Sequence, residues 1–172
     1  MDSYGKVTIA EQLDNLCNEL SVSMDALSWV VNSSEYPDLV DSIKGKYEQR
    51  SDFLLTLREE YTILFRDFES SITRKPGNIY ENFAAKIQKD KLLSEDVLGA
   101  VIDLETKLVA KYRSLLRSGN LSKNLAAILQ AQAEKINADI EQLKLDLDTF
   151  RIADINGHVE KHKNSQIRTI TD

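Results

Sequence analysis

Several polar side chains fall where the helical pattern of this sequence otherwise places leucine. Arg50 comes three residues after Tyr47 and four before Leu54. Glu105 comes four after Val101 and three before Leu108, and Gln132 lies between Leu129 and Ile136 with Glu134 beside it. Glu19 follows Leu16 by three and precedes Leu20, so it borders a seam. Apolar steps of three and four mark one face of a helix, and a polar residue on such a step is carried toward the neighbouring helices. Glu19 and Arg50 stand at nearly equal distances from the chain break at Asn32–Pro37, and Glu105 and Glu134 at nearly equal distances from the break at Gly119. In a helical hairpin, equal distance from the turn means equal height. The expectation is a buried polar layer at mid-bundle, made of Glu19, Arg50, Glu105, Gln132 and Glu134.

Two chemistries suit such a layer. Carboxylates gathered inside a bundle can hold two iron or manganese ions, in a pattern that takes a Glu from each of two helices and Glu-x-x-His from each of the other two. Here the candidate segments read Glu48-Gln49-Arg50-Ser51 and Glu134-Lys135-Ile136-Asn137, with Ser51 and Asn137 where histidines belong. Arg50 would also bring a cation toward the cations. The alternative metal set is therefore Glu19, Glu48, Glu105 and Glu134, and ligand type and charge both disfavour it. The favoured expectation is no cofactor: the rigid guanidinium fork of Arg50 bridges acids from other helices. Tyr47, Tyr61 and Tyr112 lie on the seams and could line a ligand pocket, although aromatic stripe residues ordinarily fill a core.

Other chemistry is thinly represented. The only histidines, His158 and His162, are four residues apart, but Glu160 is misplaced for an H-E-x-x-H zinc site. Phosphate-cradling glycine loops and nucleophile elbows are absent, and no histidine falls in the bundle to serve a Ser or Cys nucleophile as base. No catalytic residue is assigned, and the reading leans away from an enzyme. The single cysteine, Cys17, sits among apolar helix positions as a small core residue.

The elements that must position these groups are legible from two prolines and six glycines. A first helix is expected from Thr8 to Ser33, with the stripe Ile9, Leu13, Leu16, Leu20, Met24, Leu27 and Val31. A second should run from Pro37 to Ser70 along Ile43, Tyr47, Leu54, Leu57, Tyr61, Leu64 and Phe68, with Pro37 in its first turn. Ser71 to Leu93 reads as a long crossover containing Pro76-Gly77 and a short helix on Ile79, Phe83 and Ile87. The third helix opens at Ser94, with Ser94 as its cap, and stops at Gly119. Its stripe is Val97, Val101, Leu104, Leu108, Tyr112 and Leu115. The fourth runs from Ser122 to Phe150 on Leu125, Leu129, Ile136, Ile140, Leu143 and Leu147. Trp29, off the main stripe, is expected against the crossover or a partner subunit. Asn156-Gly157 signals a turn.

This pattern gives an all-α fold, an antiparallel four-helix bundle over residues 8–150. Residues 1–7 form an N-terminal tail, and 151–172 a partly mobile C-terminal extension. With 42% hydrophobic and 29% charged residues, a 172-residue chain can bury one core without disulfides. A net charge of −6 argues against general nucleic-acid binding, since nothing is gained at phosphates. The start of the chain lacks the regions of a signal peptide, and no apolar run approaches a membrane span. A cytoplasmic protein without nucleic-acid or membrane partners is expected, acting as a homo-oligomer or on another protein.

The segments Tyr47-Glu48-Gln49-Arg50-Ser51-Asp52-Phe53 and Leu104-Glu105-Thr106-Lys107-Leu108-Val109-Ala110-Lys111-Tyr112-Arg113 carry a resemblance. With the order hairpin, Pro-Gly crossover, short helix, hairpin, the chain from Thr8 to Phe150 resembles bacterial ferritin-like four-helix-bundle proteins of a domain-of-unknown-function family. The resemblance implies a ferritin-like topology and a stress-related or housekeeping role. It brings no metal ligands, because the histidines are missing here.

Overall fold

The computed structural model describes the backbone of residues 3–65, 93–119 and 121–168, and the side chains of 8–65, 93–119 and 121–152. These residues form four long helices, α1 (Ser3–Asn32), α2 (Val40–Leu64), α3 (Ser94–Arg117) and α4 (Lys123–Arg168), with a single 3-10 turn at Pro37–Leu39. The expected short helix on Ile79, Phe83 and Ile87, and Phe68 with it, lie outside the described residues.

The helix ends follow local chemistry. Helix α1 closes where the Asn32 side-chain amide donates to the Ser28 carbonyl at 2.8 Å. Pro37 then opens the 3-10 turn, where a missing N–H costs nothing. Trp29 packs on the core beside this turn, its ring 5.9 Å from that of Tyr36. Helix α2 ends at Leu64, with the Phe65 N–H bonded to the Tyr61 carbonyl at 2.9 Å. Ser94 is not the cap of α3. Leu93 holds that position, and the Asp96 carboxylate reaches back to accept from the Leu93 N–H at 3.3 Å. Gly119 adopts φ +77°, the left-handed stop that a Cβ would strain. Ser122 then caps α4, its hydroxyl accepting from the Leu125 N–H at 3.1 Å. The backbone of α4 continues through Asn156-Gly157 to Arg168, so the expected turn does not form there. A glycine inside a helix costs only about 1 kcal/mol relative to Ala, which hydrogen bonds on both sides can carry.

The stripes meet in one apolar core. Ile9, Leu13, Leu16, Leu20 and Leu27 of α1 are buried, as are Ile43, Leu54 and Leu57 of α2. Val97, Val101, Leu108 and Leu115 of α3 join them, with all six stripe residues of α4 from Leu125 to Leu147. Each fully buried leucine contributes roughly 1.5–3 kcal/mol relative to exposure. On α1 the last core position is Val30, with Val31 only partly buried, because a straight helix drifts off a strict heptad over its length.

Helices α1 and α2 form one hairpin, α3 and α4 the other. The hairpins pack with α1 beside α3 and α2 beside α4, which leaves α2–α3 and α1–α4 as the diagonals. Contacts between elements fix the directions. Ser23 meets Glu105 while Glu19 meets Lys111, so α1 and α3 run antiparallel. Glu60 meets Asn124, Phe53 meets Gln132 and Arg50 meets Asp139, so α2 and α4 are antiparallel too. Every packed pair is thus antiparallel, and the diagonal helices α2 and α3 are parallel. Leu64 and Ser94 consequently lie at opposite ends of the bundle. Among the described residues no helix is long and apolar enough to cross a membrane.

Candidate functional site: a buried polar layer

Each helix contributes one polar side chain to a connected layer in the middle of the bundle. Ser23 of α1, Arg50 of α2 and Glu105 of α3 are essentially sealed from solvent, and Asp139 of α4 is 8% exposed. All four obey one local rule: they occupy a step of three or four between apolar stripe residues. Ser23 lies between Leu20 and Leu27, and Asp139 between Ile136 and Leu143. The folding of the stripes therefore carries them inward whether or not they are apolar.

The four form a continuous chain of contacts. Glu105 Oε1 accepts from the Ser23 hydroxyl. Glu105 Oε2 accepts from Arg50 Nε at 2.9 Å and from Arg50 Nη2 at 2.5 Å. Arg50 Nη1 donates to Asp139 Oδ2 at 3.0 Å and to the Gln49 side-chain carbonyl. Asp139 Oδ1 lies 3.2 Å from Lys135 Nζ, which leads the chain out to water. The guanidinium carbon lies 5.7 Å from the centre of the Phe53 ring. All three nitrogens of Arg50 and both oxygens of each acid are engaged. That satisfaction is what makes the layer tolerable, since each unpaired ion would cost several kcal/mol to bury.

A second polar pair sits beside it. The Tyr112 hydroxyl donates to Gln132 Oε1 at 2.8 Å, and Gln132 Nε2 donates to the Phe53 carbonyl at 3.4 Å. Burial pushes the Tyr112 phenol well above its ordinary range. Burial likewise lowers the pKa of Lys46, opposed by Asp139 and Asp146, and its ammonium donates to the Ser42 carbonyl at 2.6 Å. Cys17 is buried and its thiol is pushed up to about 12 by loss of solvent, so it carries almost no thiolate at neutral pH.

Of the residues expected in the layer, Arg50, Glu105 and Gln132 are inside. Glu19 is not: its side chain is 30% exposed and lies 4.0 Å from Lys111 at the rim. Glu134 is exposed and accepts from Gln130 at 2.5 Å, one helical turn away. Glu134 is two residues past the seam position Gln132, which rotates it away from the core. Glu48 is also exposed. The alternative metal set of Glu19, Glu48, Glu105 and Glu134 is therefore not brought together. Among the described residues, no group of three or more His, Cys, Asp or Glu side chains could hold a metal ion. Asp139 and Ser23 were the residues to find, by the same step rule that marks Arg50 and Glu105.

Tyr61 and Tyr112 are buried in the core and Tyr47 packs partly buried against it, with the Tyr61 ring centre 5.2 Å from that of Phe65 and tilted 48° to it. A shallow groove of about 100 Å³ lies between α3 and α4, lined by Arg113, Leu116, Gln130, Ala133, Glu134 and Asn137. None of the three tyrosines lines it.

No family model, no curated protein and no solved structure matches this chain. The finding on fold is a four-helix all-α protein of two packed hairpins.

Proposed function

We propose that this chain is a non-enzymatic helical-bundle module that works through protein–protein contact, assembling with itself or with another protein. One observation carries the reading. The centre of the bundle, where a carboxylate protein would hold metal, contains the Arg50 guanidinium, and the acids around it are committed to that guanidinium, Ser23 and Lys135. Among the described residues the interior is filled and charge-paired, which supports a role carried by the outer surface. There, Leu55 and Ile63 of α2 and Leu145 and Ile152 of α4 are each more than half exposed. These side chains are available for contact with a second chain. Sedimentation equilibrium should show a mass above that of one chain, and Ile63→Asp or Leu145→Asp should lower it. A strictly monomeric chain at tens of micromolar would reject self-assembly.

The runner-up is a ferritin-like carboxylate protein that handles iron or manganese. The direction of the helices supports its topology and not its metal: a parallel diagonal pair α2–α3 suits hairpins joined end to end. Metal analysis of untagged protein separates the readings. Stoichiometric iron or manganese would overturn the first and support the second.

A further inference from the structure

We infer that the buried polar layer is a register lock, which selects one docking of the two hairpins from several that burial of apolar surface would accept almost equally. The stripes of all four helices are built mainly from leucine, isoleucine and valine, and such surfaces pack in more than one way. Sliding one hairpin against the other by a turn exchanges one apolar residue for another at nearly every core position. It does not do so at Arg50. With α3 shifted one turn either way, Glu105 is replaced opposite Arg50 by Val101 and Ile102, or by Leu108 and Val109. With α4 shifted, Asp139 is replaced by Ile136 or Leu143. In each of these one-turn shifts the guanidinium, sealed from water, faces hydrocarbon where it now meets an acid.

The layer also distinguishes which helix lies beside which. Arg50 reaches its main partner, Glu105, across the α2–α3 diagonal, and its second, Asp139, across the packed α2–α4 seam. The longer acid spans the longer distance and the shorter acid the shorter one. Exchanging α3 and α4 would put Asp on the diagonal and Glu on the seam. It would also take Ser23 away from the Glu105 oxygen that it now satisfies. Each of the four groups is thus correct for one arrangement only. A buried polar group that specifies register is the best-attested use of such groups in helical assemblies.

The test removes the lock while keeping the burial. In the full chain, Arg50→Met, Glu105→Leu and Asp139→Leu are combined. Spin labels are placed on exposed positions of α2 and α3 (Glu59→Cys with Lys107→Cys) and of α2 and α4 (Glu59→Cys with Glu141→Cys), all with Cys17→Ser. The lock predicts a variant as helical as the parent, with a denaturation midpoint no lower. Its amide spectrum should show more than one resonance for many residues, and its label distances should split into two or more populations. One set of resonances with the parent's distances would overturn the inference. Arg50→Lys is the milder companion should the triple variant not fold. It keeps the charge but loses the fork, and a minor second distance population is expected. A single population in Arg50→Lys, with a triple variant that is unfolded, would also overturn the lock and make the layer a plain source of stability.

Discussion

Glu105 and Glu134 present the same carboxylate from the two helices of one hairpin, yet they meet different media. Glu105 is sealed inside, with both oxygens engaged by Ser23 and Arg50. Glu134 lies in water and bonds a glutamine on its own helix. The difference is angular: one sits on the seam and the other is turned away from it. In water a charge is solvated whatever its partner, so Glu134 gains little from one. In the core solvation is gone, and the partner decides whether the charge can be there at all.

Breaking the inner region one-sidedly should have the largest effect. Glu105→Leu leaves Arg50 buried with Asp139 alone, and urea unfolding should show a loss of about 3–5 kcal/mol. Arg50→Met, which strands Glu105, should lose a similar amount. The neutral neighbour pair is worth less. Tyr112→Phe leaves Gln132 Oε1 without its donor and should cost about 1–3 kcal/mol. At the rim, Glu134→Gln and Glu19→Gln should each change stability by under about 0.5 kcal/mol. Equal losses at Glu105 and Glu134 would erase the contrast between core and rim.

Alkaline pH sharpens the same contrast with a group that is merely buried. The Cys17 thiol is pushed up from 9.0 to about 12 in the folded chain. Above pH 9 the unfolded chain releases this proton while the folded chain keeps it. The unfolded state then binds fewer protons, so stability falls as pH rises. The contribution is whole below pH 9 and declines through the window up to about 12. Thermal unfolding of Cys17→Ala should show a shallower decline over that window than the parent. An unchanged slope would mean that the thiol is not sealed.

Much of this architecture is legible without coordinates. Steps of three and four fix which side of each helix is buried, and Pro37, Gly119 and Ser122 mark the turns through backbone chemistry that needs no neighbours. The same steps identify Arg50 and Glu105, and applied evenly they identify Ser23 and Asp139. Height along the hairpin was a weaker guide: Glu19 lies one turn from Ser23, level with Lys111, and Glu134 lies five residues from Asp139 and is turned outward. The reach of α4 past Asn156-Gly157 was hidden for another reason: once begun, a helix propagates through backbone bonds that a side-chain pattern does not display.

By itself the sequence determined four amphipathic helices, two tight turns and polar groups on seams that ought to be apolar, because each follows from bonds and periodicities within one helix or one turn. Only the tertiary structure decided that α1 lies beside α3 and α2 beside α4, and that Arg50 spends its fork on Glu105 across the diagonal and on Asp139 across the seam. Those choices depend on distances between helices, which no single helix encodes. In a dry interior they also depend on which acid is near enough to replace the water that a guanidinium gives up.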